Sequence, residues 1–252
     1  MKVWYEDDLF WLHFAPVMFQ DERWAAAGVE ARETARLLGM PEGGTIMDSC
    51  CGVGRHTVEF ARMGYQVTGV DLTEGYLEAA QETADAEGVV IEFIQGDIRE
   101  FVRPEYFDGI ANLFTSFGYF ESIDEDVRTL QHYYESLKIG GKVMIDVIGK
   151  ELLARNFQPS EWYEYDGGYV IAEYGIIEDW TRLLNRWIYY RDGSRFEYTF
   201  SHRVYSAAEL EGLLRKTGFG SIRIFGDFDS RPYDAQAERL IIVAEKPSTA
   251  RY

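Results

Sequence analysis

The stretch "IMDSCCGVGRHTVEFARMGYQVTGVDL", Ile46 to Leu72, constrains the fold more than any other part of the chain. A short apolar run ends at Asp48, a turn carries Gly52 and Gly54, a helical segment follows, and a second apolar run ends at another acid, Asp71. Strand, glycine turn, helix and strand in that order make a βαβ unit, which needs a parallel sheet covered on both faces. The stretch also holds both cysteines of the chain, Cys50 and Cys51, so a metal or redox site has to be weighed against a nucleotide cradle.

The pattern continues on either side. Ala25 to Leu38 reads as a helix ended by Gly39 and Pro41, Thr45 to Met47 as a buried strand running into Asp48, Arg55 to Met63 as a helix closed by Gly64, and Tyr65 to Asp71 as a second strand. Thr73 is placed to cap a helix reaching Glu87, closed by Gly88. Val89 to Gln95, Tyr106 to Phe114 and Gly140 to Ile148 read as strands three to five, with a helix from Asp124 to Lys138. Near Lys150 the alternation stops. From Trp162 to Tyr205 aromatic and β-branched residues alternate with polar ones around the turn signals "DGG" and "RDGS", an antiparallel meander. Phe196, Tyr198 and Phe200 should share its covered face, with Arg195, Glu197 and Thr199 on the wet one. Ser206 and Glu209 form a capping box for a helix to Thr217, and "FGSIRIFGDF" and "ERLIIVAEK" read as two closing strands. The expected organisation is an N-terminal helical lid over 1–44, an α/β domain over 45–150 and 206–252, and a β insertion over 151–205.

With 252 residues and 46% hydrophobic content the chain can bury a sizeable core. Its net charge of -18 and lack of a dense basic run argue against nucleic acid or an anionic membrane surface as a partner. No apolar run approaches the ~20 residues of a membrane span, and acids interrupt the N-terminal "MKVWYEDDLFWLHF", so a cytoplasmic location is expected. Adjacent cysteines cannot face one zinc ion, whose structural sites space their ligands by about two to four residues, and no CxxC is present. No metal is expected at Cys50, Cys51 and His56, and both thiols read as reduced small residues lining a turn.

The nucleotide reading fits the flanks. Glycines at the bend let a ligand approach the backbone, and an acid at the tip of the next strand can accept hydrogen bonds from a ribose diol. A dinucleotide site would place a third small residue where Thr57 stands, and Asp48 would repel a pyrophosphate. Asp48 suits a cationic amino-acid moiety instead, so the expected ligand is a nucleoside carrying positive charge.

"DSCCGVGRH", "GVDL", "GDI", "NLFTSFGYF", "LKIGGKVMIDV" and "ERLIIVAEK", in this order, resemble the class I S-adenosylmethionine-dependent methyltransferases of the small-molecule type with a β insertion. The resemblance covers nearly the whole chain from Thr45 onward. It implies a Rossmann-like α/β fold with a seven-stranded sheet whose last strand is antiparallel, and S-adenosylmethionine as cofactor. By the same resemblance Asp48, Gly52 and Gly54, with Cys50 as a small lining residue, surround the methionine part. Asp71 binds the ribose, Leu72, Asp97 and Ile98 hold the adenine, and Asn112, Leu113 and Phe114 lie beside the sulfonium. Ser49 and Cys50 depart from the usual loop only conservatively.

Methyl transfer needs alignment of the acceptor and exclusion of water, with no obligatory catalytic side chains. Phe117 and Tyr119, after strand four, are candidate aromatic faces for the acceptor. His13, Asp146 and His202 are the candidates for a base or for binding an acceptor amine, whereas His56 and His132 read as structural. The expected function is methyl transfer to a small-molecule acceptor by in-line displacement, with the insertion either roofing the acceptor or pairing two copies in a homodimer. A non-catalytic module that senses S-adenosylmethionine, and an NAD-dependent dehydrogenase, are the alternatives. The acceptor, and whether nitrogen, oxygen or carbon is methylated, are not legible.

Overall fold

The computed structural model describes residues 3–248. The chain opens with a 3-10 turn (Trp4–Glu6), helix α1 (Asp8–Met18) and helix α2 (Asp21–Leu38). Then come β1 (Thr45–Ser49), α3 (Arg55–Arg62), β2 (Gln66–Asp71), α4 (Glu74–Glu87), β3 (Glu92–Gln95), β4 (Phe107–Asn112), α5 (Ile123–Ser136), β5 (Leu137–Val147) and α6 (Lys150–Asn156). Four strands follow, β6 (Ser160–Tyr165), β7 (Gly168–Ile177), β8 (Arg182–Arg191) and β9 (Ser194–Arg203), and the chain closes with α7 (Ala207–Thr217), β10 (Gly220–Phe225) and β11 (Leu240–Glu245).

Seven strands form one sheet in the order β10-β11-β5-β4-β1-β2-β3. β1 is parallel to both β2 and β4, while β11 is antiparallel to β5 and β10, as the resemblance implies. The chain leaves β1 toward β2 on one side and returns through β4 on the other, so the carboxyl ends of β1 and β4 flank a crevice at the switch in strand order. Asp48 pairs in register with Ala111 there, and Ser49 with Asn112. Ile46, Ile110, Val143 and Ile242 are fully buried in the sheet's core.

The second sheet is the meander β6-β7-β8-β9. Two of its hairpins turn on Asp166-Gly167 and Asp192-Gly193, each pair with positive φ, the conformation that tight two-residue hairpins need. The third turns on Glu178, Asp179 and Trp180, all left-handed and none of them glycine, so the sequence carries no turn signal there. The face of Phe196, Tyr198 and Phe200 is the covered one. It receives α1, whose Phe10 and Phe14 are sealed against Val170, Tyr189 and Phe200. Each buried phenylalanine contributes roughly 1.5–3 kcal/mol by leaving water.

Four local expectations are corrected. α1 and α2 cover different sheets: α1 packs on the meander, whereas α2 packs on the parallel sheet through Ala31, Leu37 and Leu38 against Ile46 and Phe60. Thr73 occupies the N-cap of α4 without a side-chain capping bond: the Tyr76 N–H turns to the Thr73 carbonyl at 3.1 Å, while the N–H of Thr73 itself donates to the Asp71 carboxylate at 2.9 Å. β3 is shorter than its apolar run, with Val90 93% exposed before the strand begins. Finally, α6 stands where the alternation stops, short and without a side-chain cap to announce it. The capping box at Ser206 and Glu209 forms as expected, and a second one, Ser122 with Glu125, starts α5.

Candidate active site

The turn after β1 alternates handedness. Cys50, Gly52 and Gly54 all have positive φ, at 62°, 55° and 78°, which folds the backbone into a tight curl before α3 begins. The curl is tied to the next strand: Gly52 N–H and Thr73 N–H donate to the two carboxylate oxygens of Asp71, at 2.8 and 2.9 Å. The glycines serve different ends. A Cβ on Gly52 would press on the Phe19 ring at 3.1 Å, whereas one on Gly54 would meet Ala80 Cβ of α4 at 2.8 Å. Gly54 thus lets two helices close together, and it does not line the cavity.

Asp48 is buried, and Thr57 Oγ1 donates to it at 2.5 Å. Burial pushes its carboxyl up to about 7, partly offset by the Thr57 hydroxyl and the nearby Arg55. Thr57, the residue that spoils a dinucleotide motif, therefore holds the acid that replaces a phosphate site. Burial also raises both thiols of Cys50 and Cys51, so they are uncharged and poor nucleophiles. Cys51 lies over β2, where a Cβ on Gly69 would come within 3.1 Å of its sulfur.

A cavity of about 740 Å³ opens at the carboxyl ends of β1, β2 and β4. Of the candidate residues, Asp48, Cys50, Gly52, Asp71, Leu72, Asp97, Ile98, Leu113, Phe114, Tyr119 and His202 line it. Five candidates are not brought to it. Gly54 packs between helices, as above. Asn112 lies behind the loop, its amide donating to Tyr133 Oη at 3.2 Å, while that hydroxyl also bonds Ser49 Oγ at 2.6 Å. Phe117 is core, its ring tilted against that of Tyr205. His13 stacks on Phe196 at 3.9 Å between ring centres and meets the Tyr198 hydroxyl at 3.2 Å. Asp146, fully buried, is committed to a bidentate pair with Arg239 and accepts from Phe114 N–H at 2.9 Å.

Three arginines support the site, and the sequence reading missed them: Arg55 and Arg239 line the cavity, and Arg99 stands behind Asp97. Phe114 has the Arg55 guanidinium 4.0 Å from its ring centre and that of Arg239 at 4.4 Å. Phe114 and Thr115 are both left-handed, at φ 56° and 63°, and Asp146 holds this pair through its carboxylate and its carbonyl. Arg99 binds Asp97 through Nε at 3.0 Å and Nη2 at 2.5 Å, Glu125 at 2.6 Å, and Tyr5 Oη at 3.3 Å. Burial alone would raise the Asp97 carboxyl, but these Arg99 bonds hold it below the usual carboxylate range. Arg99 thereby straps the first turn of the chain, Trp4–Glu6, over the end of β3. Arg55 follows Gly54 directly and Arg99 follows "GDI", so both were within reach of motif reading; Arg239 had no local signal.

The acids at the tips of β1 and β2, the tight curl between them and the crevice beside β4 define a nucleoside-binding protein of the doubly wound class. A methyltransferase-domain family model matches residues 46–141. A protein of Geobacillus sp. (strain WCH70) described as a methyltransferase is 30% identical over 207 residues, covering 80% of this chain and 84% of that one. The glycine/sarcosine N-methyltransferase of Aphanothece halophytica is 27% identical over 212 residues, covering 80% and 76%. In structure, an S-adenosylmethionine-dependent methyltransferase from Clostridium acetobutylicum ATCC 824 superposes with a TM-score of 0.80 at 17% identity, covering 96% and 99%. The chain belongs to the class I S-adenosylmethionine-dependent methyltransferases. Its cofactor is S-adenosylmethionine. Among the described residues no helix is long and apolar enough to cross a membrane.

Proposed function

We propose that this methyltransferase acts on a small-molecule acceptor, methylated at nitrogen, held between the tips of the parallel strands and the covered face of the meander. The observation that carries the reading is one continuous cavity: the cradle of Asp48, Gly52 and Asp71 opens into the same space as Tyr119, Asn185 and His202. Its volume lies within the ~300–1,000 Å³ of small-molecule sites. The similarity to an N-methyltransferase of small amino acids favours nitrogen.

The bound cofactor supplies a methyl group made electrophilic by a sulfonium. Asp48, a buried carboxyl with a hydroxyl as its hydrogen-bond donor, fits a cationic amino-acid group, with Cys50 and Gly52 shaping the backbone around it and Gly54 setting the turn. Asp71 is assigned to the ribose diol, with Leu72, Asp97 and Ile98 at the adenine. Leu113 and Phe114 are assigned to the region of the reacting atoms, with Asn112 fixing the loop behind them. α1 and the meander exclude water, and Tyr119 presents its ring to the acceptor. The lid is then the first turn and α1, over an α/β body that includes α2. The outer meander face, where Trp162 is 67% and Tyr169 50% exposed, is assigned to pairing of two copies. Trp162→Glu should sediment as a monomer beside a dimeric parent, and a monomeric parent would refute that pairing.

The test of function is a panel of amino acids, amino sugars, simple amines and hydroxylated compounds, scored by release of S-adenosylhomocysteine. Turnover confined to amines supports the reading. Tight binding of S-adenosylmethionine with no release on any acceptor would return the sensing-module alternative, and turnover only on hydroxyls would move the methylated atom to oxygen.

A further inference from the structure

His202 lines the cavity from β9, and Asn185 lines it from β8 on the same face. The two side chains touch: Asn185 Nδ2 lies 3.3 Å from His202 Nδ1. The same amide nitrogen donates to Leu183 O at 3.1 Å, which fixes which end of the amide is nitrogen, since a carbonyl oxygen in that place would face another oxygen. An NH2 group has two protons and both are now placed, one on Leu183 O and one on His202 Nδ1. A ring nitrogen that accepts is unprotonated, so in the neutral ring the proton sits on Nε2.

Nε2 has no partner among the described residues, and it is not one of the sealed polar atoms, so it opens on the cavity. The ring also stays neutral: burial and the Arg182 guanidinium, itself bonded to Ser201, push it down to about 4. Tyr119 is the aromatic neighbour on the opposite wall, 6.4 Å between ring centres. Two residues beyond Asn185 along β8, Trp187 Nε1–H is buried without an acceptor. The Trp187 N–H is therefore sealed inside the wall, and His202 Nε2–H is the unmatched donor that this face presents to the cavity.

We propose that Asn185 fixes His202 as a hydrogen-bond donor, so that this histidine binds an oxygen of the methyl acceptor and does not take its proton. The proposal rests on the reading that the acceptor occupies this cavity. It narrows the substrate class to compounds carrying a carboxylate, carbonyl or hydroxyl oxygen near the methylated atom. The attacking atom then brings its own lone pair, as a neutral amine does.

Ring-nitrogen correlation spectra of the full chain labelled with [15N]histidine decide the tautomer without any acceptor, and the His202→Gln spectrum identifies the His202 signals. The expected result is a proton on Nε2 and no protonation of the ring between pH 8 and pH 5.5. Asn185→Asp, whose carboxylate accepts from Nδ1–H, should reverse the tautomer and bring the ring's titration into that range. A proton on Nδ1 in the parent, or ordinary titration near 6.5, overturns the proposal.

With an acceptor from the panel, His202→Leu should raise KM about tenfold, the value of one lost hydrogen bond, and His202→Gln should recover most of that because its amide still donates. A pH-independent kcat in the parent is expected; a His202→Gln enzyme that binds S-adenosylmethionine yet loses kcat more than a hundredfold would make His202 the base. Failure of the parent to bind S-adenosylmethionine would break the functional reading and leave the tautomer result intact.

Discussion

The two walls of the cavity are built by different means. The wall at the strand tips is backbone and acid: a left-handed curl at Cys50, Gly52 and Gly54, with Asp48 and Asp71 at strand ends. The opposite wall is side-chain packing, with α1 and the meander sharing one aromatic cluster around Phe10, Phe14, Tyr189 and Phe200. A backbone curl holds one ligand shape and tolerates little change, whereas an aromatic wall can be recut residue by residue. The first suits a cofactor common to a family and the second an acceptor that varies within it.

The difference can be broken most forcefully at Phe10. Its removal from a fully packed site should cost about 3–5 kcal/mol in denaturant unfolding while S-adenosylmethionine affinity, corrected for the folded fraction, stays within about threefold. Equal collapse of both would mean that the walls are one unit.

Asp48→Asn should give the opposite pairing, with a gain in stability and a loss of cofactor binding by calorimetry. The folded-state pKa of about 7 lies above the ordinary 3.8, so the folded protein keeps a proton that the unfolded chain has lost. Stability falls as pH rises through that window, and the full cost stands above pH 7. The substitution should therefore stabilise by roughly 2–4 kcal/mol at pH 8 and hardly at all at pH 4.

Asp71→Ala should weaken the cofactor by about 1–3 kcal/mol, the worth of charge-assisted bonds to a diol, and unchanged affinity would remove Asp71 from the site. The smallest effect belongs to Ser206→Ala, which breaks the capping box of α7, a helix that contributes no residue to the cavity lining. It should cost about 1 kcal/mol of stability and leave cofactor affinity alone.

The same contrast explains what could be read from the sequence. The curl and the acids are local: strand, glycine and acid stand within one short run, and hydrophobic period places them at the edge of a parallel sheet. Likewise the meander announced itself through Asp-Gly turns and alternation. What failed was whatever depends on distant partners. Asp146 stands at the tip of β5 as expected, yet Arg239 arrives from just before β11 and takes its charge. His13 sits in an aromatic segment as read, but Phe196 and Tyr198 absorb its ring. Asn185 carried no signal at all, since its meaning comes only from the register that sets it beside His202.

Arg99 ties the two walls together. One guanidinium grips Asp97 at the end of β3 and, on its other side, Tyr5 and Glu6 in the first turn of the chain. With Asp97 assigned to the adenine, the turn is fastened by the same group that orients that carboxylate. The adenine edge and the N-terminal turn are thus mechanically coupled, since a shift of Asp97 draws on the same guanidinium that fastens Tyr5 and Glu6.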